Sequence, residues 1–266
     1  TGLSAGTYVV TVTDSKGCTN SESVVISEPT PLIVNHVPTN VSCNGAGDGE
    51  IVAMGTGGTL PLSYGLPLSP PTTLPGTFSN LGGGTDTVRI TDGNGCTIDS
   101  IVTIAEPAVL VIDTNSVTQV LCYGDSNGVI VMSSTGGTNP VSYGIIPSLG
   151  NQVPAGSNTI SNLPSGVYTI TGTDANGCVA TYSVTITQPA TAVDITAVTG
   201  TTPTCVPGND GTITITASGG SGTLEYARLP VPPNAYQVSD VITNLGSGGY
   251  TLRVRDVNGC FADTTF

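Results

Sequence analysis

The sequence predicts an all-β chain of tandem β-sandwich repeats of about 80 residues, and three observations carry that reading. Cysteines recur on a fixed ruler. Apolar residues alternate with Thr and Ser at a period of two, as in a half-buried strand. No segment has the 3.6-residue apolar period of a helix.

The ruler comes first. Cys18, Cys96, Cys178 and Cys260 are separated by 78, 82 and 82 residues, and Cys43, Cys122 and Cys205 by 79 and 83. A Leu stands fifteen residues before each cysteine of the first series, at Leu3, Leu81, Leu163 and Leu245. Ten before it stands Tyr8, Asp86, Tyr168 or Tyr250, and four before it Asp14, Asp92, Asp174 or Asp256. Pro29, Pro107 and Pro189 follow by eleven residues, and a Gly pair begins fourteen beyond each cysteine of the second series. A repeat of this kind is one supersecondary unit copied along the chain. The boundaries that follow are 1–29 for the end of one repeat, 30–107 and 108–189 for complete repeats, and 190–266 for a nearly complete one. Opening and closing inside a repeat reads as a window of a longer polypeptide.

Each repeat then yields its elements in order. Gly49–Met54, Gly128–Met132 and Gly211–Thr216 read as strands entered through a Gly/Asp/Asn loop and closed by the Gly pair. A short strand bearing Tyr64, Tyr143 or Tyr226 follows. The run from Thr7 to Thr13 and its counterpart Tyr168–Thr171 alternate cleanly, and each leads into Asp-x-x-Gly-Cys. In three repeats that turn contains Asn-Gly, which predicts a two-residue hairpin turn with positive φ. A second alternating strand runs on to Glu28-Pro29, Glu106-Pro107 or Gln188-Pro189, where a residue without an N–H ends the ladder. Six or seven strands per repeat make an Ig-like sandwich. Leu-x-x-Gly-x-Tyr predicts a tyrosine corner at Tyr8, Tyr168 and Tyr250, broken by Asp86.

Composition narrows the function classes. Net charge is −13 with only five Lys and Arg, so the basic footprint of a nucleic-acid partner is absent. No apolar run reaches the length of a membrane-spanning helix. One histidine, His36, cannot supply a general base to every repeat, and no Gly-x-Ser-x-Gly elbow occurs. The expectation is a non-enzyme without a cofactor.

Cys-x-Gly-x-x-Asp-Gly at Cys43–Gly49 (looser at Cys122 and Cys205), the Gly pair, Asn-Leu-x-x-Gly-x-Tyr and Asp-x-Asn-Gly-Cys together resemble the SprB repeats of bacterial gliding-motility adhesins. That resemblance implies a secreted, cell-surface location and a filament or adhesin role within a very large parent protein. The family's aromatic-rich strand after the Gly pair is reduced here to Tyr64, Tyr143 or Tyr226. Candidate partners are neighbouring repeats, identical chains in a filament, and surface polysaccharide. With twelve aromatics in the whole chain, sugar platforms are scarce, which favours a stalk over a binding module.

In an extracellular setting seven cysteines read as disulfides. Counting pairs Cys43 with Cys96, Cys122 with Cys178 and Cys205 with Cys260, leaving Cys18 to an upstream cysteine. The reading depends on strand parity: if the two cysteines of a repeat lie at opposite poles, a bridge between neighbouring repeats, such as Cys43–Cys178, is the alternative. Asp48, Asp125 and Asp210 in one loop, with Asp92, Asp174 and Asp256 in another, are calcium candidates. Asx-turn chemistry accounts for the same residues and is the favoured reading. The Pro-rich stretch Pro67–Pro75 reads as an exposed loop.

Overall fold

The computed structural model describes residues 2–66, 76–147, 153, 156–205, 207–230 and 235–266. The Pro67–Pro75 stretch lies outside them. Every regular element among the described residues is a strand. The chain forms two compact units, Thr1–Val109 and Leu110–Phe266.

The first unit opens with a hairpin, β1 (Gly6–Thr13) and β2 (Thr19–Ile26). A sandwich follows: β3 (Ile33–Thr39), β4 (Gly49–Thr56), β5 (Ser63–Gly65), β6 (Gly76–Leu81), β7 (Gly84–Thr91) and β8 (Thr97–Ile104). The second unit repeats it twice. Its first copy is β9 (Val111–Thr118), β10 (Gly128–Thr135), β11 (Ser142–Ile146), β12 (Thr159–Leu163), β13 (Gly166–Thr173) and β14 (Val179–Ile186). Its second is β15 (Asp194–Thr201), β16 (Gly211–Ser218), β17 (Glu225–Arg228), β18 (Val241–Leu245), β19 (Thr251–Arg255) and β20 (Phe261–Thr265).

Each sandwich has two three-stranded antiparallel sheets, ordered β3-β4-β6 and β5-β7-β8 in the first copy and equivalently in the others. That order matches the A-B-E and C-F-G sheets of an immunoglobulin constant-type sandwich without its D strand. Alternation along each strand feeds one core per copy. Ile51, Val88, Ile90, Val102 and Ile104 fill the first, Ile130, Met132, Ile170 and Ile186 the second, and Ile213, Ile215, Leu252 and Val254 the third. The second sheet makes the core: Val88, Ile90 and Val102 are 0, 0 and 1% exposed, whereas their register equivalents on the lone hairpin, Val10, Val12 and Val24, are 54, 68 and 48% exposed.

The Gly pair ends the second strand of each sandwich. Gly57 and Gly58 both take left-handed φ, 80° and 64°, as do Gly219 and Gly220 at 84° and 67°. A Cβ on Gly57 would run into the Pro31 carbonyl, and on Gly219 into that of Ala192. The pair is therefore where the incoming connector docks, through Gly58 N–H to Thr30 O at 2.8 Å and Gly220 N–H to Thr191 O at 3.0 Å. Asn80, Asn162 and Asn244 are also left-handed, with φ of 60°, 60° and 61°. They sit at the register shift where β6, β12 and β18 bulge against their partners, a conformation Asn tolerates better than other side chains.

Strand direction decides where the chain goes. β6 is antiparallel to β4, and β5 antiparallel to β7. β7 leaves β6 through a short connection and reverses, so β4 and β7 run one way and β5 and β6 both run the other. Two successive strands thus share a direction, one in each sheet. The chain enters a sandwich at one pole and leaves it at the other. The second unit follows the same pairing in both of its copies.

Candidate functional site

Two recurring structures occupy the two poles. The turn pole is the hairpin Asp-x-x-Gly-Cys. Asp92 N–H donates to Cys96 O at 2.9 Å and Gly95 N–H to Asp92 O at 2.9 Å. Only the Gly is left-handed, at 83° for Gly95, 86° for Gly177 and 83° for Gly259. The turn is therefore a three-residue loop with a left-handed Gly, not the two-residue Asn-Gly turn that the dipeptide suggested. The Asn contributes no special φ, and Lys16 replaces it in the first turn without changing the hairpin.

The Asp organises this pole. One oxygen of Asp92 accepts the N–H groups of Asn94 at 3.0 Å and Cys96 at 2.8 Å. The other accepts Thr59 N–H at 2.9 Å, from the residue after the Gly pair of the opposite sheet. Asp174 repeats this with Asn176 and Cys178 at 2.9 Å each and Thr138 at 2.8 Å. Asp256 does so with Asn258 and Cys260 at 2.9 Å each and Ser221 at 2.8 Å. All three are buried. The Thr59 N–H, more than any other group, holds the Asp92 carboxyl below its usual range. For Asp174 burial pushes upward and is outweighed by the N–H groups of Thr138, Cys178, Asn176 and Gly177. Each carboxylate staples the two sheets together and turns its oxygens toward protein donors.

The loop pole carries the other cysteine series. Asp48 accepts Ser42 N–H at 2.9 Å and its hydroxyl at 2.5 Å. Asp210 accepts Thr204 N–H at 3.0 Å and its hydroxyl at 2.6 Å. Those hydroxyls, first among the causes, lower both carboxyl pKa values. In the middle copy the same job falls to Asn127, whose amide oxygen accepts Leu121 N–H at 3.3 Å. Asp125, the calcium candidate of that loop, is not the structural equivalent of Asp48 and Asp210. A neutral amide closing the same loop marks this as side-chain capping of the backbone. Asp48 and Asp92 stand at opposite poles of their sandwich, so the structure does not bring these two candidate carboxylates together. Among the described residues no group of three or more His, Cys, Asp or Glu side chains could hold a metal ion.

The exit strand anchors to the same loop. Val41 N–H donates to Ala105 O at 3.2 Å and Val120 N–H to Thr187 O at 3.0 Å. Glu106 and Gln188 accept the N–H groups of Gly45 and Gly124. Glu-Pro and Gln-Pro thus act through two residues: the acid or amide caps the cysteine loop, while Pro107 and Pro189 stand between one sandwich and the next. Pro29 has the same place between β2 and β3.

Parity corrects the disulfide assignment. Loop and turn cysteines of one sandwich lie at opposite poles, and the eight-residue β7 alone spans about 27 Å, far beyond the reach of a disulfide. Cys43 does not pair with Cys96, which is a free thiol, and Cys205 does not pair with Cys260. Cys122 bonds Cys260, not Cys178, with Cα atoms 5.5 Å apart and a sequence separation of 138. Cys43 and Cys178 are also held in disulfides. Cys18, Cys96 and Cys205 are exposed thiols.

The Cys122–Cys260 bond joins the exit pole of one sandwich to the turn pole of the next. Asn258 donates from that turn to Leu121 O, on the cysteine loop, at 3.3 Å. Tyr123, Val193, Gly220 and Phe261 line the cleft beside the bond.

The tyrosine corners are formed. Tyr8, Tyr168 and Tyr250 donate to the carbonyls of Ser4, Pro164 and Gly246 at 2.9, 2.8 and 2.7 Å. Burial raises the Tyr168 pKa. Sequence reasoning missed the capping roles of Glu106, Gln188 and Asn127 and the positive φ of Asn80, Asn162 and Asn244, although each recurs at a fixed distance from a cysteine. It also missed the facing pair that becomes Arg89–Asp99 and Arg253–Asp263, both at 2.7 Å, where the hairpin has Thr11 and Ser21.

The SprB repeat model matches residues 35–66, 114–149 and 197–227. Three stretches of the chain match SprB repeats. Each SprB-repeat stretch runs from within the first strand of one sandwich into its third, and includes its cysteine loop and Gly pair. No curated protein matches in sequence. Among solved structures, a C-terminal intimin fragment in complex with its receptor's binding domain is similar at 16% identity, covering 62% of this chain and 67% of that one, with a TM-score of 0.33. Invasin, a bacterial integrin-binding protein, is similar at 12% identity over 99% and 65%, with a TM-score of 0.34. The eight N-terminal Ig domains of Down Syndrome Cell Adhesion Molecule are similar at 13% over 98%, with a TM-score of 0.33, and this chain spans 38% of their length. These likenesses are too distant to carry an argument. The strand pairing around the SprB repeats itself makes each copy an Ig-like sandwich.

Proposed function

We propose that the chain is a structural segment of a large surface adhesin, acting as a stalk or filament that projects an adhesive end and supports surface attachment or gliding. The observation that carries this is the Cys122–Cys260 bond, which joins the exit pole of one sandwich to the entry pole of the next. Repeats that contact their neighbours gain length by addition of units, and a covalent tie at the junction keeps successive units in register. A non-catalytic role accords with the site: its carboxylates are occupied by backbone donors, and the one histidine lies on edge strand β3. Neighbouring repeats are its primary partners, and identical chains in a filament come second. Electron microscopy of the native assembly tests the proposal, with a uniform axial rise of one repeat expected along a continuous stalk. A glycan array probed with the whole chain is the companion test. Binding there would overturn the stalk reading in favour of repeats that each recognise polysaccharide.

A further inference from the structure

The Cys122–Cys260 junction has a fixed polarity: the loop cysteine belongs to the earlier sandwich and the turn cysteine to the later one. From this junction we propose that Cys205 is the receiving half of the same joint, built to form a disulfide with the turn cysteine of a further repeat. This inference stands whether or not the array serves as a stalk.

Three observations place Cys205 in that role. It is an exposed thiol at the exit pole of its sandwich, the register equivalent of the bonded Cys122. Its loop has the same closure, with Thr204 N–H on Asp210 at 3.0 Å where the middle copy has Leu121 N–H on Asn127 at 3.3 Å. The carbonyl that accepts Asn258 at the formed junction is that of Leu121, immediately before its cysteine. Thr204 occupies the equivalent position before Cys205.

The partner is defined by chemistry as well as position. Every turn cysteine of this chain has its N–H held by the Asp four residues earlier, at 2.9 Å in Asp14–Cys18, 2.8 Å in Asp92–Cys96 and 2.9 Å in Asp174–Cys178 and Asp256–Cys260. The ligand for Cys205 is a cysteine presented by that turn. Forming the bond removes two protons and two electrons from two thiols. Oxidised glutathione accepts them as its own S–S bond breaks, leaving two reduced glutathione molecules and one protein disulfide.

The test extends the full chain in register. A second copy of Thr185–Phe266, or in a second extended chain a copy of Thr103–Val184, is appended directly after Phe266. Either copy places an isoleucine at the position that Ile186 and Ile104 hold in their own sandwiches. After oxidation with glutathione, alkylation and digestion without reduction, Cys205 should be joined to the appended Cys260 in the first extended chain and to the appended Cys178 in the second. The appended loop cysteine should be alkylated in its place. Cys205→Ser should leave the appended turn cysteine alkylated. A chain that keeps Cys122–Cys260 while Cys205 is alkylated in either extension overturns the proposal. So does a bond from Cys205 to the appended loop cysteine.

Discussion

The two poles of a sandwich carry the same inventory, one cysteine and one recurring Asp or Asn, and use it in opposite ways. At the turn pole the carboxylate of Asp92, Asp174 or Asp256 is buried, and its bonds cross between the two sheets. At the loop pole the bonds of Asp48 and Asp210 stay within one exposed loop, and Asn127 replaces the carboxylate in the middle copy. Recurrence alone ranks these residues equally. Burial and the reach of their partners separate a residue that holds a fold together from one that shapes a loop. The disulfide then connects a pole of one kind to a pole of the other, so the difference between the ends gives the array its direction.

The largest expected effect comes from cutting that connection. Cys122→Ser should destabilise the second unit by about 5 kcal/mol in the chain-entropy model for a loop of this size, read by urea denaturation against the oxidised parent. An unchanged midpoint would mean that the two sandwiches unfold independently of their bond. Next is the turn pole itself. Asp256→Ala orphans three backbone donors and should cost about 3 kcal/mol, whereas Asp256→Asn, which keeps an acceptor, should recover part of the loss. Equal losses would make charge, not hydrogen bonding, the decisive property.

Acid offers a third probe. The folded-state pKa values of Asp92 and Asp174 are depressed, so their stabilisation is present above the unfolded carboxyl pKa of about 3.9 and is lost as pH falls through the lower folded values. The melting temperature should hold near neutrality and drop progressively below about pH 4, and Asp174→Asn should flatten part of that drop. The smallest effect belongs to Asp210→Asn at the loop pole, which copies Asn127 and should leave the melting temperature unchanged. A clear loss there would erase the distinction between the poles.

Much of this was readable in the residues. The period, the Gly pair, the alternating strands and the tyrosine corners all rest on local rules, and local rules survive translation into three dimensions. β3 and β6 were harder. β3 is an edge strand containing Pro38, and β6 is a short strand bulged at Asn80, so neither alternates cleanly. Disulfide pairing was least legible because it depends on strand direction summed over a whole sandwich. Counting strands between Cys43 and Cys96 gives four, an even number, as expected for cysteines at one pole. The count misleads because β5 and β6 run the same way in different sheets, a fact set by pairing partners far apart in sequence. Asp125 misled for a simpler reason: three acidic loops looked equivalent, and only the backbone shows that Asn127 takes the place of Asp48.

The same parity has a consequence for a chain pulled from its ends. Each sandwich is loaded pole to pole, and the bond between Cys122 and Cys260 short-circuits the polypeptide between them. Were both sandwiches to unravel, the 138-residue separation could release none of the roughly 470 Å of slack it would otherwise pay out at about 3.4 Å per residue. A string wired this way keeps its reach when individual beads give way, and reduction turns it into an extensible one.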